Sequence, residues 1–106
     1  MKKDYVNVKI SDPKDRGYIM YRKYNDGVYV MMGSYTDPKY RGSGVFKECF
    51  VNLMNDMKSG DTLQAAACSK ILAKYLQEKI GMKKVKTPVR YWGNINNGVN
   101  LVMVKS

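Results

Sequence analysis

The first third of the chain alternates between apolar and polar residues, the pattern of β-strands with one buried face. Residues 5–10 alternate weakly, and residues 18–24 and Val28–Thr36 are two further strand-like segments rich in Val, Tyr and Met. Asn25-Asp26-Gly27 separates the last two and suits a tight hairpin turn, because Asp-Gly readily adopts positive φ. The pattern predicts an antiparallel meander of three strands.

From residue 45 onward the spacing of apolar residues changes. Residues 45–57 carry an apolar stripe with spacings of one, three and four, which predicts a helix that Ser59-Gly60-Asp61 ends. Thr62–Ala67 is a short apolar run typical of a buried strand. Ser69 suits the N-cap of a second helix that stops at Gly81. The predicted apolar face of that helix is Ile71, Leu72, Tyr75, Leu76 and Ile80.

Two more strands follow, over residues 82–92 and Val99–Val104, with a turn signal at Asn96-Asn97-Gly98. The meander is therefore followed by the order β-α-β-α-β-β. This order predicts an α/β protein of the α+β kind, with one mixed sheet and two helices. Residues 1–106 are expected to form a single domain.

Composition excludes several kinds of chemistry. The 106 residues contain no His, which excludes a Ser-His-Asp triad, a Cys-His dyad and a histidine metal site. The two cysteines are too few for a four-thiolate zinc site, so no metal is expected. No apolar run approaches the roughly 18 residues of a membrane span, and no apolar signal core follows Met1. A soluble, cytoplasmic protein without a membrane partner is the expectation.

The charge predicts an anionic ligand or partner. Lys and Arg number 19 against 9 Asp and Glu, a formal net charge of +10. A basic cluster in residues 79–90 precedes Tyr91 and Trp92, and such a cluster suits nucleic acid. The alternative is a solvated strand edge that lysines protect from pairing with other edges, which we favour.

The segment between the third strand and the first helix contains the most informative motif. Arg41-Gly42-Ser43-Gly44 leads directly into a helix, and glycines let a backbone turn tightly and approach a ligand. The free amides and the dipole of the following helix then favour phosphate or pyrophosphate. The alternative is a glycine-rich turn that only joins a strand to a helix. The ending Gly-Lys-Ser/Thr of a Walker loop and the third glycine of the dinucleotide fingerprint are absent.

Residues 38–45, Pro-Lys-Tyr-Arg-Gly-Ser-Gly-Val, resemble the pyrophosphate loop of the GNAT superfamily, the GCN5-related N-acetyltransferases. Arg41 and Gly44 match the first two fixed positions of the family motif Arg/Gln-x-x-Gly-x-Gly/Ala, whereas Phe46 stands at the third. Residues 69–82 resemble the family's second conserved helix through Ala73, Leu76 and Gly81. Lys70 and Gln77 depart from that pattern, and Gln77 stands where the family often has a Tyr that acts as the general acid toward the departing thiolate of coenzyme A.

The resemblance covers about three quarters of the chain and implies a GNAT-like acyl-CoA N-acyltransferase fold. The usual N-terminal helices of that fold are missing, so the chain would be a minimal form. The implied cofactor is acetyl-CoA, lying where Val28–Thr36 and Thr62–Ala67 splay apart. The residues that the resemblance assigns to the cofactor are Ser34, Tyr35, Thr36, Arg41, Gly42, Ser43, Gly44, Val45, Ser69 and Lys70.

The implied reaction is direct attack of an amine on the thioester, which requires a proton acceptor. The candidate catalytic residues are Tyr35, Glu48 and Cys68, and Tyr75 is expected to face the core. The acceptor would be a protein lysine, a protein N-terminus or a small amine, on a target that is preferably acidic. A homodimer is a further possibility that the open sheet edges suggest.

Phe46 and Gln77 keep an alternative function open. A GNAT-like domain that has lost catalysis would serve as a basic binding module for nucleic acid or a protein.

Overall fold

The computed structural model describes residues 4–67, 70–86 and 99–106, and its central element is a six-stranded mixed sheet. The sheet order is β1-β2-β3-β4-β6-β5. The α+β class and the element order predicted from the sequence are confirmed. The strands are β1 Tyr5–Ser11, β2 Gly17–Tyr24, β3 Val28–Thr36, β4 Thr62–Ala67, β5 Lys83–Val85 and β6 Val99–Val104.

One helix connects β3 to β4 along the chain, and a second helix connects β4 to β5. A 3-10 turn at Pro38–Tyr40 precedes α1, Val45–Asp56, which ends one residue before the predicted stripe does. The second helix, α2, spans Lys70–Tyr75 and continues as a π-helical turn over Leu76–Ile80. No helix in the described part of the chain is long and apolar enough to cross a membrane.

Both described helices pack on the same face of the sheet. The apolar stripe of α1 supplies Cys49, Phe50 and Leu53, and α2 with its π turn supplies Ala73 and Leu76. These side chains bury alternate residues of the strands, among them Ile19, Tyr21, Met31, Leu63 and Leu101. Cys49 lies in the core, and its burial raises the pKa of its thiol.

The strands β3 and β4 are parallel, but only over half the length of β3. Val28–Met31 pairs with Thr62–Ala65, whereas the rest of β3 pairs only with β2. A β-bulge starts at the same point: Tyr21 faces Met31 and Met20 faces Gly33, which leaves Met32 as an extra residue. Because a bulge bends its strand and increases the twist, β3 turns away from β4 here.

Some predicted features fall outside the described residues. These are the N-cap at Ser69, the thiol of Cys68, the turn at Asn96-Asn97-Gly98, and the part of the 82–92 strand from residue 87 onward. Within the described part, the predicted apolar face of the second helix is wrong at one position. Ile71 is 83% exposed, because it lies two residues, about 200° around the helix axis, from the buried Ala73.

Candidate functional site

A cleft of about 770 Å³ opens where β3 and β4 separate. Its volume is typical of ligand sites, which range from about 300 to 1,000 Å³. One wall is the end of β3, the second is the loop and first turn of α1, and the third is α2. The lining residues are Ser34, Tyr35, Thr36, Tyr40, Arg41, Gly42, Gly44, Val45, Phe46, Lys47, Ile71, Leu72 and Tyr75.

The loop between β3 and α1 is shaped by local hydrogen bonds. Asp37 caps the 3-10 turn, with Oδ1 accepting from the Lys39 amide at 3.0 Å. This agrees with a capping role for Asp37 rather than a catalytic one. The Ser43 amide donates to the Tyr40 carbonyl at 3.1 Å, and the Ser43 hydroxyl donates to the same oxygen.

Two glycines complete the loop in the left-handed region, with φ of +84° at Gly42 and +87° at Gly44. No atom lies within 4 Å of the Cβ that either residue would carry. The requirement for glycine is therefore conformational and not steric.

The amino end of α1 faces the cleft without a side-chain cap among the described residues. Gly44 is its N-cap, and its carbonyl accepts from the Glu48 amide at 3.0 Å. The amides of the first turn after Gly44 have no partner within the helix. With the helix dipole they form a site for an anion. Arg41 and Lys47 add positive charge, and no carboxylate is among the described residues that line the cleft.

An aromatic contact joins the two helical walls. The Phe46 ring stacks on Phe50 at 6.0 Å between centroids and meets Tyr75 edge to face at 5.6 Å. The bulky residue at the third motif position therefore packs between α1 and α2. Tyr75 is half-buried: it packs against the core, as predicted, and it also lines the cleft.

The structure brings most of the predicted cofactor residues together. Ser34, Tyr35, Thr36, Arg41, Gly42, Gly44 and Val45 all line the cleft. Ser43 lies in the same loop, with its hydroxyl turned to Tyr40. Lys70 is exposed and does not line it, and Ser69 lies outside the described residues.

The three candidate catalytic residues have different surroundings. Tyr35 lies at the mouth of the cleft and is 48% exposed. Glu48 lines a separate shallow groove, and its Oε2 lies 3.5 Å from Nη2 of Arg16. Cys68 lies outside the described residues.

An ion pair between Asp12 and Arg16 lies beside the loop that joins β3 to α1. Asp12 is 3% exposed and accepts from Arg16 Nε at 2.7 Å and Nη2 at 2.9 Å, and these bonds lower its pKa to about 2. The Arg16 carbonyl in turn accepts from the Asp37 amide at 2.7 Å. The turn between β1 and β2 thereby holds the start of the loop.

Six residues that line the cleft were not among the predicted cofactor residues, namely Tyr40, Phe46, Lys47, Ile71, Leu72 and Tyr75. Tyr40 and Lys47 flank the predicted loop, so proximity alone could have identified them. The three from α2 required the tertiary arrangement of the helices. Local periodicity assigned them all to a buried face.

Solved structures of acyltransferases share this architecture. A Klebsiella pneumoniae protein assigned as an acyl-CoA N-acyltransferase matches 97% of the chain over 74% of its own length, with a TM-score of 0.73 and 16% identity. A GNAT-family acetyltransferase of Staphylococcus aureus matches 97% of this chain over 69% of its own length, with a TM-score of 0.69 and 12% identity. The ribosomal-protein-S18-alanine N-acetyltransferase of Escherichia coli matches 99% of this chain over 70% of its own length, with a TM-score of 0.64 and 18% identity.

The sequence matches no protein-family model and no curated protein. At identities of 12% to 18% the structural likeness shows the fold. The chain has the GNAT fold, as residues 38–45 and 69–82 led us to expect.

Proposed function

We propose that the protein is an N-acyltransferase that uses an acyl-CoA, with acetyl-CoA as the donor, and acylates an amine. The observation that carries the proposal is the gap between β3 and β4, which opens onto the uncapped start of α1. Such a site suits a ligand with a thin arm and an anionic end. Coenzyme A has both features.

The anionic end is assigned to the loop and the first turn of α1. The amides that follow Gly42 and Gly44 would hold the pyrophosphate, with Arg41 and Lys47 beside it. The absence of carboxylates from the described lining removes a source of repulsion.

The arm is assigned to the splayed part of β3. Beyond Met31 this strand pairs with β2 on one side, and β4 has already separated on the other. Backbone groups of Ser34 to Thr36 on that side are positioned to bind an extended amide-containing chain, as in β-strand addition.

Bound acyl-CoA supplies a thioester carbon that a neutral amine attacks. The described lining offers hydroxyls but no carboxylate, so we assign removal of the amine proton to water held in the cleft. Tyr75 is the hydroxyl on the α2 wall, and we assign it the role of proton donor to the leaving group. Gln77 does not compete for this role, because it is exposed and its amide bonds to the Ala73 carbonyl at 3.3 Å.

The acceptor is proposed to be an amine on a protein. The E. coli structural neighbour is named for acetylating an alanine of a ribosomal protein, which makes a protein N-terminus the first acceptor to try. The net charge of +10 favours an acidic or nucleic-acid-bound target.

Calorimetric titration with acetyl-CoA and with free CoA tests the binding half of the proposal. We expect micromolar affinity for both ligands and its loss in Gly44→Ala, because a Cβ strains the left-handed loop. Gly60→Ala is the matched control, since Gly60 also has positive φ, +92°, and open space around it. Absence of binding at millimolar ligand, or equal affinity in both variants, contradicts the proposal.

Turnover is tested separately with thiol release in the presence of peptides bearing free N-termini. Tyr75→Phe should lower kcat by about 10²-fold or more while leaving CoA affinity unchanged. An unchanged kcat would remove Tyr75 from the mechanism. Tight binding without release of thiol with any amine would favour the binding-module alternative.

A further inference from the structure

The sheet face opposite α1 and α2 has an unusual composition. Among the described residues, none of the six strands contains Asp or Glu, whereas they contain five Lys or Arg. The strand register assigns Lys9, Arg22 and Lys83 to this second face, together with four tyrosines. We call it the open face, because both described helices lie on the other side. The tyrosines are Tyr5, Tyr18, Tyr24 and Tyr35.

The tyrosines form two pairs. The rings of Tyr5 and Tyr24 lie 5.5 Å apart at one end of the β1–β2 ladder, and those of Tyr18 and Tyr35 lie 5.8 Å apart at the other end. Tyr18 and Tyr24 are six residues apart on β2, a distance of about 20 Å along the strand. Met20, 38% exposed, lies between them.

Each pair has a cation beside it. Lys9 Nζ lies 4.4 Å from the centre of the Tyr18 ring, and the Arg22 guanidinium carbon lies 3.8 Å from that of Tyr5. Cations at such positions can pass from a ring to a phosphate when the ring takes up another π-face.

We propose that the open face binds single-stranded nucleic acid, with bases stacking on the tyrosine pairs and phosphates contacting Lys9 and Arg22. Aromatic platforms flanked by cations, on strands that contain no carboxylate in their described residues, match the π-faces and the charge of such a nucleic-acid strand. A paired duplex hides its base faces and is not matched. The proposal does not rest on the acyltransferase activity.

The test is fluorescence anisotropy of a labelled 12-nucleotide RNA of mixed sequence, without acyl-CoA. The contacts of Lys9 and Arg22 with phosphates should contribute about −1.4 to the slope of log K against log salt. The double variant Lys9→Gln, Arg22→Gln should remove that contribution. The matched control Lys74→Gln, Lys79→Gln removes the same charge from the helical side and should leave the slope nearly unchanged.

Stacking is tested with Tyr35→Leu, which keeps an apolar residue in the strand. We expect affinity to fall by at least about five-fold. The control Tyr40→Leu alters an exposed tyrosine of the loop and should have little effect.

Four results overturn the proposal. One is that Lys74→Gln, Lys79→Gln weakens RNA binding as much as Lys9→Gln, Arg22→Gln does, which would attribute the effect to net charge alone. Another is equally tight binding of a DNA duplex of the same length. A third is equal competition by polyglutamate, which would indicate an acidic protein. The fourth is a dimer in sedimentation velocity that Tyr35→Leu dissociates, which would make the open face an interface between copies.

Discussion

The carboxyl end of α1 is bonded to other parts of the chain, whereas its amino end is left to solvent or ligand. At the carboxyl end Lys105 Nζ donates to the Met54 carbonyl and, at 2.6 Å, to that of Met57. The Tyr29 hydroxyl donates to the Asp56 carbonyl at 3.0 Å. At the amino end no described side chain accepts from the first amides. The helix is anchored where β3 and β4 are paired and available for binding where they part.

This difference separates stability from function along one helix. Substitutions near the carboxyl end should lower the free energy of unfolding and spare ligand binding. Substitutions near the amino end should do the reverse.

Leu53→Ala should cause the largest loss of stability, because Leu53 is 0% exposed and links α1 to the core. We expect a loss of about 2 to 5 kcal/mol in the free energy of unfolding by denaturant. Val51→Ala on the same helix, at a side chain 48% exposed, should cost less than about 0.5 kcal/mol. Similar losses in the two variants would contradict the assignment of the buried face.

Lys105→Met should cost about 1 to 2 kcal/mol of unfolding free energy, because it leaves the last carbonyls of α1 without their cation. Affinity for acetyl-CoA should not change. Lys58→Met removes the same charge from the exposed segment after α1 and serves as the control. If Lys105→Met weakened ligand binding instead of stability, the two ends would not be independent.

Tyr21→Phe should cost about 1 kcal/mol at neutral pH, since the Tyr21 hydroxyl donates to Asp56 Oδ2 at 2.8 Å. Burial, with the bond to Asp56, raises the pKa of Tyr21 above its usual value of 10.0. The unfolded state therefore ionises first, so the contribution is complete below pH 10 and is lost as pH rises further. The free energies of unfolding of the two proteins should converge as the pH rises from 8 to 11. A constant difference between them over this range would contradict the prediction.

Of these four substitutions, Gly44→Asn should change the free energy of unfolding least, and it should weaken the binding of acetyl-CoA. Asn tolerates the left-handed conformation, and its side chain can accept from the free amides of the first turn. We expect a stability change within about 1 kcal/mol and a fall in acetyl-CoA affinity of at least ten-fold. Gly60→Asn, at a similar φ of +92°, controls for backbone strain. Unchanged affinity would show that these amides do not hold the ligand.

The sequence predicted the parts of the fold that depend on local chemistry. Val28–Thr36, Thr62–Ala67 and Val99–Val104 are strands with the predicted bounds. The first and last contain several β-branched residues, whereas Thr62–Ala67 is recognised by its short apolar run. Gly42 and Gly44 have the positive φ that such a loop needs.

The α2 wall of the cleft could not be predicted in this way. The exposure of Ile71 and the position of Tyr75 depend on how α2 packs on the sheet and against Phe46, and this packing has no local sequence signal. The bulge at Met32 is a property of the pairing of β3 with β2, so no single strand encodes it.

That bulge makes the length of β3 as important as its composition. Beyond it, Tyr35 faces Tyr18 on the open face, while Ser34 faces Ile19 on the helical side. If β3 paired without this bulge, Met32 would oppose Met20 and each later residue would move one position along, so that Tyr35 would oppose Gly17 beneath α1. The extra residue, accommodated at this one point, therefore decides which side chains of β3 reach each of the two surfaces.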